Sequence, residues 1–99
     1  MTIQIGSIPY KISLEEDLTS PEGVDLLGRI NLWDAVIWLD KDMPKQSALM
    51  VLWHEVLHGL LTNAGHHEHN EGHLDALAQG LIQLLRANPE LIALTVNKE

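Results

Sequence analysis

The sequence has no cysteine, so no disulfide bond and no thiolate metal ligand contributes to its fold or its chemistry. Any metal ion would be bound by histidine and carboxylate side chains. Long hydrophobic runs are also missing, since the longest unbroken apolar stretch, Ala48 to Trp53, is far too short to cross a bilayer. The stretch MTIQIGSIPYK has neither the basic start nor the long apolar segment of a signal peptide. We therefore predict a cytoplasmic protein that does not bind membranes.

Basic residues are scarce, with six Lys and Arg against fourteen Asp and Glu, which gives a net charge of −8. A compact acidic domain is a poor nucleic-acid binder, because phosphate contacts need a basic face. The chain has 99 residues, of which 45% are hydrophobic, as expected of a soluble globular protein with one modest core. We therefore predict a single domain over residues 1–99 that does not bind nucleic acid.

The first part of the chain is predicted to form a small antiparallel β-sheet. Four segments have the alternation or the apolar content of strands: Thr2–Ile5, Pro9–Leu14, Leu26–Leu32 and Val36–Asp40. The Gly6-Ser7 break predicts a kinked strand or a hairpin, and Trp33-Asp34-Ala35 is short enough for a second hairpin. The three tryptophans are expected in the core or on a sheet face: Trp33, Trp38 and Trp53.

Helical periodicity replaces this alternation from about Gln46. The first predicted helix is apolar on nearly every side, so we expect it to lie centrally in the fold. Asn63-Ala64-Gly65 supplies its end, because glycine readily adopts the left-handed conformation that terminates helices.

A second helix is predicted from about Asn70 to Ala87, before Asn88-Pro89. Its apolar stripe, which must pack on the first helix, consists of Leu74, Leu77, Ala78, Leu81 and Leu85. The tail Glu90–Glu99 is expected to add a short turn or to fray. A sheet followed by a helix pair belongs to the α+β class.

The stretch WHEVLHGLL places three ionisable groups in the most apolar part of the chain: His54, Glu55 and His58. Burying such groups without partners would cost about 2–7 kcal/mol or more. The pattern His-Glu-x-x-His puts both histidines on one side of a helix, where the two imidazoles can reach one zinc ion. Glu55 is rotated by about 100° from His54, which suits a general base that activates a zinc-bound water. Two core histidines satisfied by backbone groups are the alternative.

A zinc site needs a third ligand, and Glu71 is the predicted one. The downstream candidates are His66, His67, Glu68, His69, Glu71, His73 and Asp75. At about 100° per residue, Glu71 lies roughly 40–50° from the centre of the second helix's stripe, at the edge of the helix seam. Asp75 or a loop histidine is the alternative ligand, whereas His73 points well away. Asp75 can instead orient a ligating histidine through a hydrogen bond, or be a solvated charge.

The group that would stabilise an oxyanion is left open by the sequence. One of His66, His67 and His69 could lean over the metal and stabilise a tetrahedral intermediate, or all three could contact only water. Tyr10 could serve instead if the first strand passes near the cleft. An ordinary half-buried strand position is the simpler interpretation of Tyr10.

These motifs resemble those of the small zinc peptidase-like proteins of phages and mobile elements, which are similar to the ImmA/IrrE-type metallopeptidases. The resemblance rests on a strand pair, then HEVLHGLL, then EGHLDALAQGL, and it covers roughly Leu27 to Pro89. Its strongest parts are the His-Glu-x-x-His motif and the E-x-x-L-x-x-L-A spacing from Glu71 to Ala78. It implies a minimal zincin-like domain with His54, His58 and Glu71 as zinc ligands and Glu55 as the catalytic glutamate.

The function implied by the resemblance is a zinc-dependent metallopeptidase that acts on a protein or peptide substrate. For ImmA/IrrE-type members this substrate is often a repressor. A zinc-stabilised, non-catalytic interaction domain is the alternative, and a purely structural module without a metal is the third hypothesis. If strand Val36–Asp40 forms a sheet edge above the zinc helix, it can pair with an extended peptide.

Overall fold

The computed structural model of the chain describes residues 1–24 and 26–98 and confirms the α+β class. A four-stranded sheet comes first in the sequence and the helices follow. The strands are β1 (Thr2–Ile5), β2 (Ile8–Glu15), β3 (Gly28–Asn31) and β4 (Val36–Asp40). The helices are α1 (Lys45–Asn63), α2 (Glu71–Ala87) and α3 (Pro89–Val96).

The sheet is mixed, so the prediction of a purely antiparallel sheet was wrong. Its strands lie in the order β1-β2-β4-β3. Both predicted hairpins are present as antiparallel pairs, but β2 and β4 run parallel, with Ile12 beside Ile37. Parallel neighbours need a connection of about a dozen residues or more, and residues 16–35, including β3, provide it. Local alternation could not predict the parallel pair, because the order of the strands depends on contacts between distant segments.

Strand β4 occupies an inner position in the sheet and supplies two of the buried core side chains. Ile37 and Leu39 are only 0% and 4% exposed. Since β4 pairs with strands on both sides, Val36–Asp40 cannot be the peptide-binding edge that the sequence suggested. The outer strand next to it is β3, whose Gly28 and Ile30 approach α1.

Trp33 lies at the tip of the β3–β4 hairpin and is 97% exposed, which corrects its prediction as a core or sheet-face residue. The side chain of Asn31 builds this turn, since its Oδ1 accepts hydrogen bonds from the backbone N–H of Trp33 at 2.9 Å and of Asp34 at 3.0 Å. Trp38 is half-buried, as predicted for a sheet-face residue, and the guanidinium of Arg29 lies 5.0 Å from its ring centroid.

The loop between α1 and α2 is fixed at both ends by helix-capping interactions. Gly65 has φ +93°, its N–H donates to the carbonyl of Thr62, and the N–H of His66 donates to the carbonyl of Leu61 at 2.8 Å. This pattern is a Schellman motif, the helix end that glycine favours. At the other end, the Asn70 side chain accepts a hydrogen bond from a first-turn N–H of α2. The predicted boundaries of both helices are thus confirmed to within a residue or two.

Helix α1 lies between the sheet and α2, as its nearly uniform apolar surface predicted. One cluster of buried side chains joins the sheet to α1 and consists of Ile5, Tyr10, Ile37, Leu39 and Val56. A second cluster joins α1 to α2 and consists of Leu57, Leu74 and Ala78. Tyr10 is therefore a core residue.

The buried stripe of α2 differs from the predicted one at two positions. Leu77, which was predicted to be buried, is 51% exposed, whereas Ile82, which was not in the predicted stripe, is only 7% exposed. Ile82 lies on the other side of the stripe, so the face that meets α1 is rotated towards Glu71 and Asp75. The rotation brings both carboxylates nearer to the seam than the predicted stripe did.

The tail forms a third helix, α3, instead of the short turn or frayed end that was expected. Pro89 begins it, in agreement with the preference of proline for the first helical turn. Glu99, the last residue of the predicted tail, lies outside the described residues. Within the described part of the chain, no helix combines the length and apolarity needed to cross a bilayer.

Gly28 allows β3 to approach α1 closely beside the His-Glu-x-x-His motif. A Cβ atom at this position would overlap Cγ1 of Val51 and lie 3.3 Å from Cγ of Glu55. Because Val51 is β-branched and half-buried in a helix, its side chain has little freedom to move away. The glycine therefore sets the distance between the outer strand and the helix.

We expect Gly28→Ala to lower the free energy of unfolding by about 1–3 kcal/mol, because the added methyl group overpacks this contact. Urea denaturation of the metal-free protein measures the change. Gly80→Ala is the matched control, since no atom lies within 4 Å of the added Cβ on the exposed side of α2. The control should gain up to about 1 kcal/mol from helix propensity. A stabilising effect of Gly28→Ala would contradict the close approach.

Candidate metal centre

His54, His58 and Glu71 converge at the seam between α1 and α2. The Nε2 atom of His54 lies 2.6 Å from Oε2 of Glu71, and Nε2 of His58 lies 3.1 Å from Oε1 of the same carboxylate. One potential ligand atom from each residue lies within 4.8 Å of the other two. Among the residues that the structure describes, this is the one such group of His, Asp and Glu side chains. The structure thus contains a possible metal-binding triad of the three residues predicted as ligands.

The chemistry of these donor atoms fits a divalent metal ion such as zinc. Two imidazole nitrogens and one carboxylate form a His₂Glu set, which zinc accepts at about 2.0–2.2 Å from each ligand atom. Ligand atoms at a tetrahedral ion are therefore roughly 3.3 Å apart, close to the 3.1 Å between Nε2 of His58 and Oε1 of Glu71. Nε2 of His54 and the carboxylate oxygen are only 2.6 Å apart. At this distance the two atoms must share a hydrogen or a cation, because two facing lone pairs would repel each other.

Asp75 holds His54 from the side opposite to Glu71. Its Oδ1 lies 2.7 Å from Nδ1 of His54. Because a carboxylate accepts hydrogen bonds, Nδ1 is the donor, and the lone pair of a neutral His54 is left on Nε2, facing Glu71. The contact matches the predicted use of Asp75 as a residue that orients a histidine.

His69 is the loop histidine that contacts the triad. Its Nδ1 lies 2.7 Å from Nδ1 of His58, and its Nε2 donates to the backbone carbonyl of His66 at 2.6 Å. Both ring nitrogens are thus engaged, which leaves His69 without a free N–H for an oxyanion. No sequence pattern predicts this pairing, because it depends on the path of the loop.

Glu55 is buried beside the triad, with a relative exposure of 7%. Burial raises the pKa of its carboxyl group from 4.5 to about 7 in the metal-free protein, while the nearby His54 lowers the pKa and Glu71 raises it. Burial also lowers the pKa of His58, although Glu71 raises it in part. A lowered pKa favours the neutral imidazole, which is the form that binds metals.

A cavity of about 520 Å³ opens over the triad. The histidines, Glu55 and Glu71 line one side of it, and β3 with its flanking residues lines the other. The lining residues from the β3 region are Leu26, Gly28, Arg29, Ile30 and Leu32. The sequence does not indicate this wall, because the outer position of β3 depends on the order of the strands in the sheet.

The remaining candidates are distributed between the cavity, the core and the surface. His67 also lines the cavity. Because both ring nitrogens of His69 are engaged, His67 is the loop histidine that remains a candidate donor to an oxyanion. Tyr10 is excluded from that role because it is 4% exposed in the sheet–helix core. His73 is exposed and does not join the triad, as predicted.

Comparison with known proteins assigns no family, since no protein-family model, no curated protein and no solved structure matches the chain.

We expect Glu55→Gln to change how the stability of the metal-free protein depends on pH. The folded-state pKa of Glu55 is raised to about 7. Its contribution to the free energy of unfolding is therefore fully present below about pH 4.5 and is lost as the pH rises through 7. Glutamine cannot ionise, so the variant should gain about 1–3 kcal/mol relative to the wild type between pH 5 and pH 8. Urea denaturation with a chelator present measures this difference.

His58 changes the stability with pH in the opposite direction. Because its pKa is lowered in the folded protein, the stability that it contributes is lost as the pH falls below about 6.5. This slope is common to both proteins and cancels in the comparison. An unchanged difference in stability between pH 5 and pH 8 would contradict the raised pKa of Glu55.

Proposed function

We propose that the protein is a zinc-dependent metallopeptidase in which His54, His58 and Glu71 bind the metal and Glu55 is the general base. The observation that carries the proposal is the convergence of the three donor groups at an open cavity, with the buried Glu55 carboxyl group on the same wall. Zinc bound there would lower the pKa of a coordinated water to about 7 and polarise a carbonyl group.

The chain's own residues have separate tasks in this proposal. Glu55 takes a proton from the attacking water, whose oxygen adds to the peptide carbonyl carbon. It then transfers this proton to the amide nitrogen as the C–N bond breaks, which gives a carboxylic acid and an amine. Burial raises the pKa of Glu55 in the metal-free protein, and a carboxylate shielded from water accepts a proton more readily than an exposed one. Asp75 holds the ring of His54 in place throughout.

We propose β3 as the strand that binds the substrate. It is an outer strand, and it faces the triad across the cavity. An extended peptide added to its unpaired side would form backbone hydrogen bonds with β3 and pass over the metal position. The leucines and Ile30 at the same wall favour apolar substrate side chains.

A zinc-stabilised, non-catalytic interaction domain is the alternative, and the coordination geometry distinguishes the two. Structural zinc sites are usually closed by four protein ligands, whereas catalytic sites have three and one open position. The triad offers three, with the Glu71 side chain 66% exposed at a cavity. A structural site would also have no use for a buried carboxyl group at Glu55.

The resemblance to the ImmA/IrrE-type metallopeptidases of phages and mobile elements extends the proposal to the substrate and the cellular compartment. It supports a protein substrate, such as a phage or host regulator, and an action in the cytoplasm. The acidic net charge of −8 supports a protein or peptide rather than a nucleic acid as the partner.

We expect the purified, tag-free protein to bind about one zinc ion per chain, and Glu71→Ala to lose most of it, because two histidines alone form a weak site. Elemental mass spectrometry after dialysis against zinc measures the content. Glu68→Ala is the control, since it removes an exposed carboxylate from the adjoining loop. Absence of metal from the zinc-supplied wild type would refute the proposal, as would equal loss in both variants.

We expect Glu55→Gln to retain zinc and the fold but to lose hydrolysis by about 100-fold or more, because it removes the general base without removing a ligand. Cleavage of labelled casein and of a mixed peptide library, followed by mass spectrometry, measures the activity. Residual cleavage equal to that of the wild type would exclude Glu55 as the base. Full zinc occupancy with no cleavage by the wild type would favour the non-catalytic alternative.

A further inference from the structure

We infer that His69 is a positioning residue that fixes the tautomer of His58 and thereby directs the Nε2 lone pair of His58 towards the metal. The inference rests on the metal centre proposed above, but not on peptide hydrolysis. Its physical basis is a hydrogen-bond chain from the backbone carbonyl of His66 through His69 to His58.

The direction of this chain follows from its first member. A carbonyl oxygen can only accept, so Nε2 of His69, 2.6 Å from the His66 oxygen, must carry a hydrogen. The other ring nitrogen of a neutral His69, Nδ1, then has a lone pair and accepts. Since Nδ1 of His58 lies 2.7 Å from it, that atom of His58 must be the donor.

The consequence for His58 is that Nδ1 carries a hydrogen, which leaves Nε2 as the nitrogen whose lone pair can bind a metal. Nε2 is the atom that faces Glu71, at 3.1 Å from the carboxylate. Without an acceptor at His69, the other neutral tautomer becomes accessible, in which Nε2 carries the hydrogen and cannot bind a metal.

The two metal-binding histidines are thus oriented by different means. Asp75, on α2, accepts from Nδ1 of His54 and brings a negative charge. His69, in the loop, accepts from Nδ1 of His58 and brings none while it is neutral. The fold accounts for this division, because the half-buried His69 of the loop lies against Nδ1 of His58, whereas Asp75 of α2 lies against Nδ1 of His54.

Two substitutions of His69 separate hydrogen bonding from packing. In His69→Asn the amide oxygen can occupy the place of Nδ1, so the acceptor is kept while the ring is lost. In His69→Phe the ring volume is kept while both nitrogens are lost. His66→Ala is the control, because it removes a histidine from the same loop but leaves the backbone carbonyl that the chain uses.

The measurement is the dissociation constant for zinc, from competition with a chelating dye at pH 7.5. We expect His69→Phe to weaken zinc binding by about 10- to 100-fold, and His69→Asn and His66→Ala to bind close to the wild-type value. If the role of His69 were only to pack the loop, the order would reverse, with phenylalanine tolerated and asparagine harmful. That order, or wild-type affinity in His69→Phe, would overturn the inference.

The hydrogen position on His58 provides a second readout, made on the wild-type protein itself. Imidazole ¹⁵N NMR of the metal-free wild type at pH 7.5 should show the hydrogen of His58 on Nδ1, with His58→Ala used for assignment. An Nδ1 atom of His58 that carries no hydrogen would overturn the inference even if the metal centre were correct. Conversely, if the wild type binds no zinc, the proposed metal centre fails and the positioning role fails with it.

Discussion

The packing of Leu74 and Ala78 on Leu57 determines whether the site exists at all. These three side chains form the buried contact between α1 and α2, and Ala78 is completely buried. Glu71 precedes Leu74 by three residues. Asp75 likewise precedes Ala78, so both carboxylates lie at the edge of the same seam. Because every contact between the histidines of α1 and the carboxylates of α2 crosses this seam, a slide or rotation of one helix would separate them. A small alanine at the contact allows the helices to come close enough for a carboxylate to reach an imidazole.

The placement of ionisable groups in the most apolar helix has a consistent electrostatic explanation. His54 and His58 are only 15% and 17% exposed in their side chains, but each of their ring nitrogens has a polar neighbour at 2.6–3.1 Å. Glu55 is buried, and the cost of its charge is reflected in its raised pKa. A divalent cation between the histidines and Glu71 would favour the ionised form of every carboxylate around it. In an acidic protein, such a cation also offsets part of the repulsion among the carboxylates at this end of the seam.

Local sequence patterns were sufficient for the parts of the structure that depend on near neighbours. The hairpins and the Gly65 helix end follow from strand alternation and turn residues, and the position of Glu71 at the edge of the seam follows from the 3.6-residue periodicity of α2. The position of β4 beside β2 did not follow, because strand order depends on contacts between distant segments. Trp33 was misassigned since hydrophobicity predicts burial, whereas the Asn31 turn holds this side chain outward. The pairing of His69 with His58 was missed for a related reason, because an irregular loop has no periodicity from which to infer the direction of a side chain.

The short loop between the helices also bears on the order in which the protein can fold. All the groups that surround the proposed metal position on the helices and loop lie between His54 and Asp75, in one helix–loop–helix segment. Closing so short a loop has a small entropic cost. The parallel pairing of β2 with β4 must instead wait until the intervening residues 16–35 have turned back, and contacts of that kind slow folding. The helix–loop–helix therefore belongs to the low-contact-order part of the chain, and we expect its contacts to form before the sheet is complete.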